Sequence, residues 1–340
     1  MAKEPDEFDV WVSKDDLPLL SIDEQIAQLK EKGVTFDLCI EEEAKAYLAD
    51  RTYYFKLRSY RTLFDKRVGG KRDGQYINLD FGHLRALASL DRDLRYALLP
   101  LTLDVEHAAR TKLVRVVTEL EGEDGYGVCA DYMASLNKDE RNRRRGDVAM
   151  LKYDLYCRDL LLKYGKDPAK MPAWVLLELF SFGSFIDLYL FCSKRWGDSD
   201  MEDEHYLLRQ AKSVRNACAH SSNMVNGFRY VPEVEESVDE EGSEDEEIAT
   251  NDSVGQALAR TGLSHRVRTS KMKNPRLKQI VTLMYLHTVL VTKGTGRSRS
   301  VADMQRLKAK MAESLELLSG NDAVRSSLRF LMTVIDNWFV

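Results

Sequence analysis

Hydrophobic residues recur every three or four positions through much of the chain, which is the spacing of the buried face of an α-helix. The clearest stripe is formed by Leu84, Leu87, Leu90, Leu94 and Leu98. The same spacing resumes after Pro100, with Leu103, Val105, Ala109, Leu113 and Val117. We expect Pro100 to kink or break this long helix, because proline removes a backbone hydrogen bond and clashes with the preceding turn.

Further helices are predicted along the whole chain. Ser21, followed by Asp23 and Glu24, is typical of a helix start with a side-chain cap and acidic residues in the first turn. Other helical patterns cover residues 41–50, 147–164, 173–196, 201–221, 275–292, 301–318 and 322–338. The fold class predicted is therefore all-α, a helical bundle.

The same pass along the chain predicts its organisation. Residues 1–20 are expected to be a flexible N-terminal arm, and residues 21–228 a helical domain. Residues 229–255 are expected to be an acidic disordered loop, because residues 233–252 hold 11 acidic side chains and no basic one. Residues 256–340 are expected to supply C-terminal helices that pack on the same bundle.

Composition supports a helical protein of the reducing cytoplasm. The chain has only seven prolines and 19 glycines, and its five cysteines include no Cys-x-x-Cys pair. The N-terminus is acidic and lacks the apolar segment of a signal peptide. The most apolar stretch, residues 174–192, is interrupted by Glu178 and Asp187, which favours a buried core over a membrane span. We therefore expect a cytoplasmic location, no membrane partner, no metal and no cofactor.

The net charge of −5 at first argues against a nucleic-acid partner, but it conceals a segregation of charge. Residues 260–278, which follow the acidic segment, hold seven basic side chains and no acidic one. Because the local electrostatic field depends on the local charge, the net charge does not exclude a polyanionic partner such as RNA.

Residues 215–220, Arg-Asn-Ala-Cys-Ala-His, stand out on the predicted helix 201–221. Leu207, Ala211, Val214 and Cys218 form the core stripe of this helix. At ~100° per residue, Asn216 and His220 lie together on the side away from that stripe, and Arg215 lies on its flank.

These residue types suit RNA cleavage without a metal. The RNA 2′-OH is a built-in nucleophile, so the reaction needs a proton acceptor, a proton donor and a group that stabilises the charged phosphate. Histidine can do the first or second task and arginine the third. One histidine supplies half of an acid–base pair, which suggests a homodimer with apposed motif helices.

The pattern alone is weak, because an Arg and a His at this spacing are expected about once or twice by chance in such a chain. A second such pair, Arg260 and His265, lies outside a helical pattern, and we interpret it as accidental. His220 could equally be a residue that only complements the dipole at a helix C-terminus.

Several ordered blocks give the sequence a resemblance to a known family. They are residues 53–60 (YYFKLRSY), residues 90–95 (LDRDLR), Glu106 with Arg110, residues 172–178 with 181–183 (P-x-W, Glu, then Ser-Phe-Gly), and residues 215–220 with Asn226. Together they resemble the Abi-like family of bacterial abortive-infection proteins (AbiD/AbiF type), a branch of the HEPN superfamily.

The resemblance implies a HEPN-type helical bundle, here with additional helices and the acidic loop insertion, and a role in anti-phage defence. It implies RNA as substrate or partner, including a small structured non-coding RNA held in a ribonucleoprotein. It also implies that Arg215, Asn216 and His220 are catalytic. Ser222 replaces the Tyr that some HEPN toxins carry two residues after the motif His.

Other residues are predicted to support or extend this site. Glu106 and Arg110, four positions apart, are expected to form a buried pair that supports the motif helix, with Asn226 also in support. RNA-binding residues are predicted in a dense basic turn and in the basic segment: Arg141, Arg143, Arg144, Arg145, Arg266, Arg268, Lys271 and Lys273.

Three functions remain open from the sequence. The first is a metal-independent endoribonuclease that is latent until a phage-derived trigger acts. The second is a non-catalytic RNA-binding protein, and the third is a protein-interaction module that blocks a phage factor.

Overall fold

The computed structural model describes residues 19–229, 253–318 and 321–340. The predicted N-terminal arm and the predicted acidic loop lie almost entirely outside these residues. Within the described residues the regular structure is helical, and the only extended pairing is two isolated bridges, Thr35 with Asp80 and Lys66 with Tyr76. The all-α prediction is confirmed.

The chain divides into two compact units, residues 1–89 and residues 90–340. In the first unit α1 (Ile22–Glu31), α2 (Glu41–Asp50) and α3 (Tyr54–Ser59) precede a short 3-10 helix, Tyr60–Leu63. The predicted start of α1 is confirmed, because the Ser21 hydroxyl accepts from Glu24 N and the Glu24 carboxylate accepts from Ser21 N.

The long helix α4 (Phe81–Glu119) runs through Pro100, so of the predicted kink or break, the break does not occur. A proline in a helix interior costs about 3 kcal/mol, and the buried stripe on both sides offsets that cost. Leu84, Leu94 and Leu98 are buried before it. After it the predicted Val105, Ala109, Leu113 and Val117 are buried together with Leu101, whereas the predicted Leu103 is 50% exposed.

Among the described residues, ten helices, seven α and three 3-10, lie between α4 and the C-terminal four helices of the second unit. They include α5 (Gly127–Ser135), α6 (Lys138–Met150), α7 (Arg158–Tyr164), α8 (Ala173–Leu179), α9 (Phe182–Trp196) and α10 (Ser199–Ala219), with 3-10 turns at Leu151–Tyr153, Pro168–Lys170 and Val225–Phe228. Residues 253–259 are helical and are numbered α11. The C-terminal four are α12 (His265–Met272), α13 (Pro275–Leu290), α14 (Thr295–Leu317) and α15 (Asp322–Trp338).

Two predicted helices are each divided in the structure. The predicted helix 147–164 is α6, a 3-10 turn and α7, and the predicted helix 173–196 is α8 and α9. The second break occurs at Phe180, after which the Ser181 hydroxyl accepts from Ser184 N and caps a new helix. The break therefore creates an additional helix N-terminus in the second unit.

The centre of the second unit is α10, which packs against both α9 and α13. The helices α13 and α15 pack together, and α14 packs on α15. Of the C-terminal helices, α13 thus packs on α10, the helix that carries the motif.

Candidate nucleic-acid interface

The motif helix has the orientation that the sequence predicted. Leu207, Ala211, Val214 and Cys218 are buried, which confirms the predicted stripe. Arg215 and Asn216 are half-buried and His220 is exposed, so the three polar residues lie away from the core.

Arg215 and Asn216 contact one another, whereas His220 stands at the end of the helix. The Arg215 guanidinium donates to Asn216 Oδ1 at 3.2 Å. His220 is the C-terminal cap residue, and its backbone NH donates to Asn216 O at 3.0 Å. Ser221 then adopts a left-handed conformation with φ of 54°, which turns the chain back. This is also the position of a histidine that only complements a helix dipole.

Arg215 and Asn216 line a cleft of about 420 Å³ between α6, α9 and α10. The cationic side chains that line it are Arg143, Arg144, Lys212 and Arg215, and the carboxylates are Asp147 and Asp187. The lining therefore carries an excess of two positive charges, and its potential favours an anionic ligand. His220 is not among the lining residues.

The N-terminal turn of α9 forms one wall of this cleft through Ser181, Phe182, Gly183 and Ser184. A helix N-terminus carries a partial positive charge and directs backbone NH groups outward. Lys212 lies over Gly183: a Cβ at that glycine would stand 3.0 Å from Lys212 Nζ and 3.2 Å from Cε. The glycine thus permits an ammonium group to approach the positive end of a helix, an arrangement that an anion in the cleft would stabilise.

Arg144 is engaged in contacts within the protein, and these contacts hold the N-terminal turn of α9 in place. It is buried, and its guanidinium donates to Ser184 Oγ at 2.9 Å and contacts the Asp187 carboxylate. Arg144 Nε also lies 3.4 Å from Tyr132 Oη, and burial raises the pKa of that tyrosine. We therefore assign Arg144 the task of fixing α6 to α9.

The other predicted basic residues of this region have different surroundings. They lie on helix α6 and not in a turn. Arg141 donates to the carbonyl oxygens of Met133, Ala134 and Leu136 at 2.7 to 2.8 Å, which satisfies the end of α5. Arg145 is paired with Asp167 at 3.4 Å. Of the four arginines, Arg143 and Arg144 line the cleft.

The second predicted basic group lies on α12 and just beyond it. Arg266 and Lys273 are exposed, and Arg268 is half-buried. Lys271 donates to Ser327 Oγ at 3.0 Å, and burial lowers the pKa of its ammonium group. None of these four residues lines the cleft, so the structure does not bring the two basic groups together there.

The predicted supporting pair braces the junction from which α9 begins. Arg110 Nε donates to Glu106 Oε1 at 3.2 Å, and Arg110 Nη2 donates to Phe180 O at 2.9 Å. The same guanidinium contacts Leu177 O and lies 4.8 Å from the centroid of the Phe185 ring. Arg110 thus binds the carbonyl groups at the end of α8 and reaches the first turns of α9. The prediction was a buried pair that supports the motif helix, whereas both side chains are half-buried and these contacts are made at α8 and α9.

Asn226 lies in the 3-10 helix Val225–Phe228, where its backbone NH donates to Asn223 Oδ1 at 3.2 Å. The preceding backbone NH groups, of Met224 and Val225, donate to Asp91 Oδ1 at 2.8 and 2.9 Å. Asn226 is therefore part of the anchored segment that follows the motif helix, and it does not line the cleft.

Sequence reasoning missed Lys212 as a member of the site. Its position four residues before Asn216 places both on one face of α10, and this spacing could have identified it. Gly183 was named only as part of a resemblance, because its contact with Lys212 joins two different helices.

Among the described residues, no three His, Cys, Asp or Glu side chains cluster in a way that could hold a metal ion. Within the same ranges, no helix combines the length and the apolar character needed to cross a membrane.

Comparison with known proteins gives one match. A family model described as Abi-like protein matches residues 47–226, just over half of the chain. The matched range contains Glu106, Arg110, every residue that lines the cleft, and the motif. No curated protein and no solved structure matches the chain.

Proposed function

Because the chain belongs to the Abi-like protein family, which indicates abortive infection as a defence against phage, we propose that it is a HEPN-type protein that acts on RNA. We further propose that it is a metal-independent endoribonuclease. Arg215, Asn216 and His220 are its catalytic residues in this proposal.

One observation carries the proposal: Arg215 and Asn216, both predicted as catalytic residues, line a cleft with an excess of positive charge. Lys212 and Arg143 supply the further cations, and the first turn of α9 adds backbone NH groups. An RNA phosphodiester fits this chemistry, because a phosphate accepts hydrogen bonds from guanidinium, ammonium and amide donors together.

The reaction would use the RNA strand's own hydroxyl group. A base removes the proton of the 2′-OH, the 2′ oxygen attacks the adjacent phosphorus, and the bond from phosphorus to the 5′ oxygen breaks. The leaving 5′ oxygen takes up a proton, so the products are a 2′,3′-cyclic phosphate and a 5′-OH. Arg215 would stabilise the negative charge that develops on the phosphate.

His220 would act as the proton acceptor or the proton donor, one helical turn beyond Asn216. A single histidine cannot fill both positions at once, so a second copy of the chain would supply the other from its own motif helix. The proposed active form is therefore a homodimer.

Non-catalytic RNA binding is the second candidate function, and one observation favours it. His220 is absent from the lining of the cleft that holds Arg215 and Asn216. A phosphate could therefore be bound there without being cleaved, as in a ribonucleoprotein with a small structured RNA.

The two candidates are separated by measuring binding and cleavage of the same RNA. The protein would be incubated with single-stranded and structured RNA in EDTA, with and without extract of phage-infected cells. We expect cleavage by the wild type and by a His107→Ala control on exposed α4 surface. His220→Ala and Arg215→Ala should abolish cleavage, whereas binding without cleavage by the wild type would favour the second candidate.

A further inference from the structure

A second cavity, of about 490 Å³, lies in the second unit where the segment after α6 meets α7. Its lining consists of Lys152, Tyr153, Arg158, Leu161, Leu162 and Lys166. Three of these side chains are cationic, one is aromatic and two are aliphatic. The cavity shares no lining residue with the cleft at Arg215.

The local backbone holds aromatic side chains outward around this cavity. Asp154 Oδ1 accepts from the backbone NH groups of Tyr156 at 2.8 Å and Cys157 at 3.1 Å, which fixes a tight turn. Tyr153, which lines the cavity, is 72% exposed, and Tyr156 in the adjoining turn is 95% exposed. Leu155 and Leu162 are exposed beside them. Clustered exposed apolar side chains of this kind are typical of a binding surface.

The charges of the segment favour an anionic ligand at this surface. Two carboxylates, Asp154 and Asp159, belong to the same segment, but neither lines the cavity. Asp154 is already engaged by the backbone NH groups of its turn. The ligand therefore faces three cations without an opposing carboxylate in the lining.

Tyr153 adds a flat surface next to these cations. Lys152 Nζ lies 4.5 Å from the centroid of the Tyr153 ring, so one face of that ring is covered by a cation. Because Tyr153 is largely exposed, its ring still has accessible surface for a planar group, and Leu161 and Leu162 supply an apolar wall. A planar group joined to a phosphate is the chemical description of a nucleotide.

We propose that this cavity binds one nucleotide unit of a single-stranded RNA. The base stacks on Tyr153, and the phosphate faces Lys152, Arg158 and Lys166. This site goes beyond the proposed cleavage site, because it requires neither His220 nor cleavage. It gives the RNA a second point of attachment on the second unit.

The test measures equilibrium binding of a fluorescein-labelled, 2′-O-methylated single-stranded RNA 12-mer, whose blocked 2′ oxygens exclude cleavage. Tyr153→Ala removes the stacking surface and Lys166→Glu reverses a lining charge. Tyr153→Ala should weaken binding at least about 5-fold, because one base–aromatic stack contributes at least this factor. Lys166→Glu should weaken it by a similar factor, because it replaces a cation that faces the phosphate by a carboxylate.

Two matched controls keep this test specific. Lys163→Glu makes the same charge change on α7 at an exposed residue outside the lining, and Tyr96→Ala removes an exposed tyrosine from α4. Both should leave the dissociation constant within about 2-fold of wild type. Equal losses in Lys163→Glu and Lys166→Glu would show a general charge effect and overturn the proposal.

Adenosine 5′-monophosphate, measured by calorimetry, separates a strand from a free nucleotide. The mononucleotide could bind to the wild type, and Tyr153→Ala could abolish that binding without changing the affinity for RNA. The cavity would then be a site for a free nucleotide, and the proposal that it binds an RNA strand would be overturned. If Tyr153→Ala affects neither probe and instead dissociates a homodimer in sedimentation, the surface is a protein interface and the proposal fails. Weakened RNA binding by the cavity variants supports the site even where wild-type protein cleaves no RNA.

Discussion

The Asp91 carboxylate on α4 accepts a hydrogen bond from the backbone NH of Met224 at 2.8 Å, four residues beyond the motif histidine. Asp91 is completely buried, and it also contacts the guanidinium of Arg95. Arg95 in turn donates to Ser222 O at 3.1 Å. Two residues of the LDRDLR block therefore anchor the chain directly after His220, which is a physical reason for that block to accompany the motif.

Asp91→Asn should strongly destabilise the second unit. The variant leaves the buried Arg95 guanidinium without its counter-charge, and breaking one partner of a buried pair costs about 3–5 kcal/mol. Denaturant unfolding measures the effect as a lower midpoint. Asp93→Asn, on the same helix beside exposed Arg92, should change the free energy of unfolding by less than about 0.5 kcal/mol. Equal effects of the two variants would show that the Asp91 contacts contribute no more than a surface pair.

Arg110→Lys should destabilise the fold although it keeps the charge. A lysine ammonium cannot contact Glu106, Leu177 O and Phe180 O together as the planar guanidinium does. The carbonyl groups left without donors should lower the free energy of unfolding by about 1–3 kcal/mol. Arg115→Lys, at an exposed position of the same helix, is the control and should be neutral. A neutral Arg110→Lys would contradict the bracing role of this side chain.

Gly183→Ala should weaken RNA binding with little change in stability. The added methyl group would stand 3.0 Å from Lys212 Nζ, the far end of a flexible side chain that can move away from the cleft. Losing one charged contact to a phosphate should reduce affinity about 5- to 10-fold, most clearly at low salt.

Gly146→Ala on α6 is the matched control for that substitution. A Cβ there meets no atom within 4 Å, so the variant should bind RNA normally. It should also be more stable by about 0.5–1 kcal/mol, because alanine loses less conformational entropy in a helix. Unchanged RNA affinity in Gly183→Ala would remove Lys212 from the proposed interface.

Stability should fall when the pH falls below about 6.5, partly because of His205. Burial lowers the pKa of His205 to about 4, and its Nδ1 lies 3.1 Å from Ile186 O. Because the unfolded chain binds this proton more readily, the histidine's contribution is complete above the unfolded pKa and is lost as the pH falls from about 6.5 toward 4. The pKa of His287 is also lowered by burial, so it acts in the same direction.

Unfolding free energies at pH 7 and pH 5 measure this contribution. The wild type should lose about 1–2 kcal/mol through His205 between these values, and His205→Gln should lose correspondingly less. His107→Gln, at an exposed histidine, should keep the wild-type pH dependence. A His205→Gln variant with the full wild-type slope would show that His205 is not the group responsible.

The sequence predicted those features that depend on a single helix. The stripe of α10 and the exposed position of His220 follow from helical periodicity, and the Ser21 cap follows from local hydrogen-bonding preferences. Periodicity did not reveal the break before α9, because apolar residues continue through Phe180 and Phe182 on both sides of Ser181. That missed helix start forms one wall of the cleft.

Which residues line the cleft could not be predicted from the sequence either, because the lining depends on contacts between different helices. Arg143, Arg144 and Arg145 are neighbours in sequence, but their directions on α6 give them different surroundings. Arg144 reaches Ser184, Arg145 reaches Asp167, and each pairing joins residues far apart in the chain. Only the packing of α6 on its neighbours decides which of these cations stays available.

The chemical nature of RNA 3′ ends tests the central claim most directly. Full-length protein, supplied with the activating phage extract and EDTA, should release fragments that carry a 2′,3′-cyclic phosphate and a 5′-OH. His220→Ala should bind the same RNA with affinity within about 2-fold of wild type, yet yield none of these ends. Cyclic phosphate ends that persist in His220→Ala, or wild-type protein that binds RNA and never produces them, would contradict the assignment of Arg215, Asn216 and His220 as a ribonuclease site.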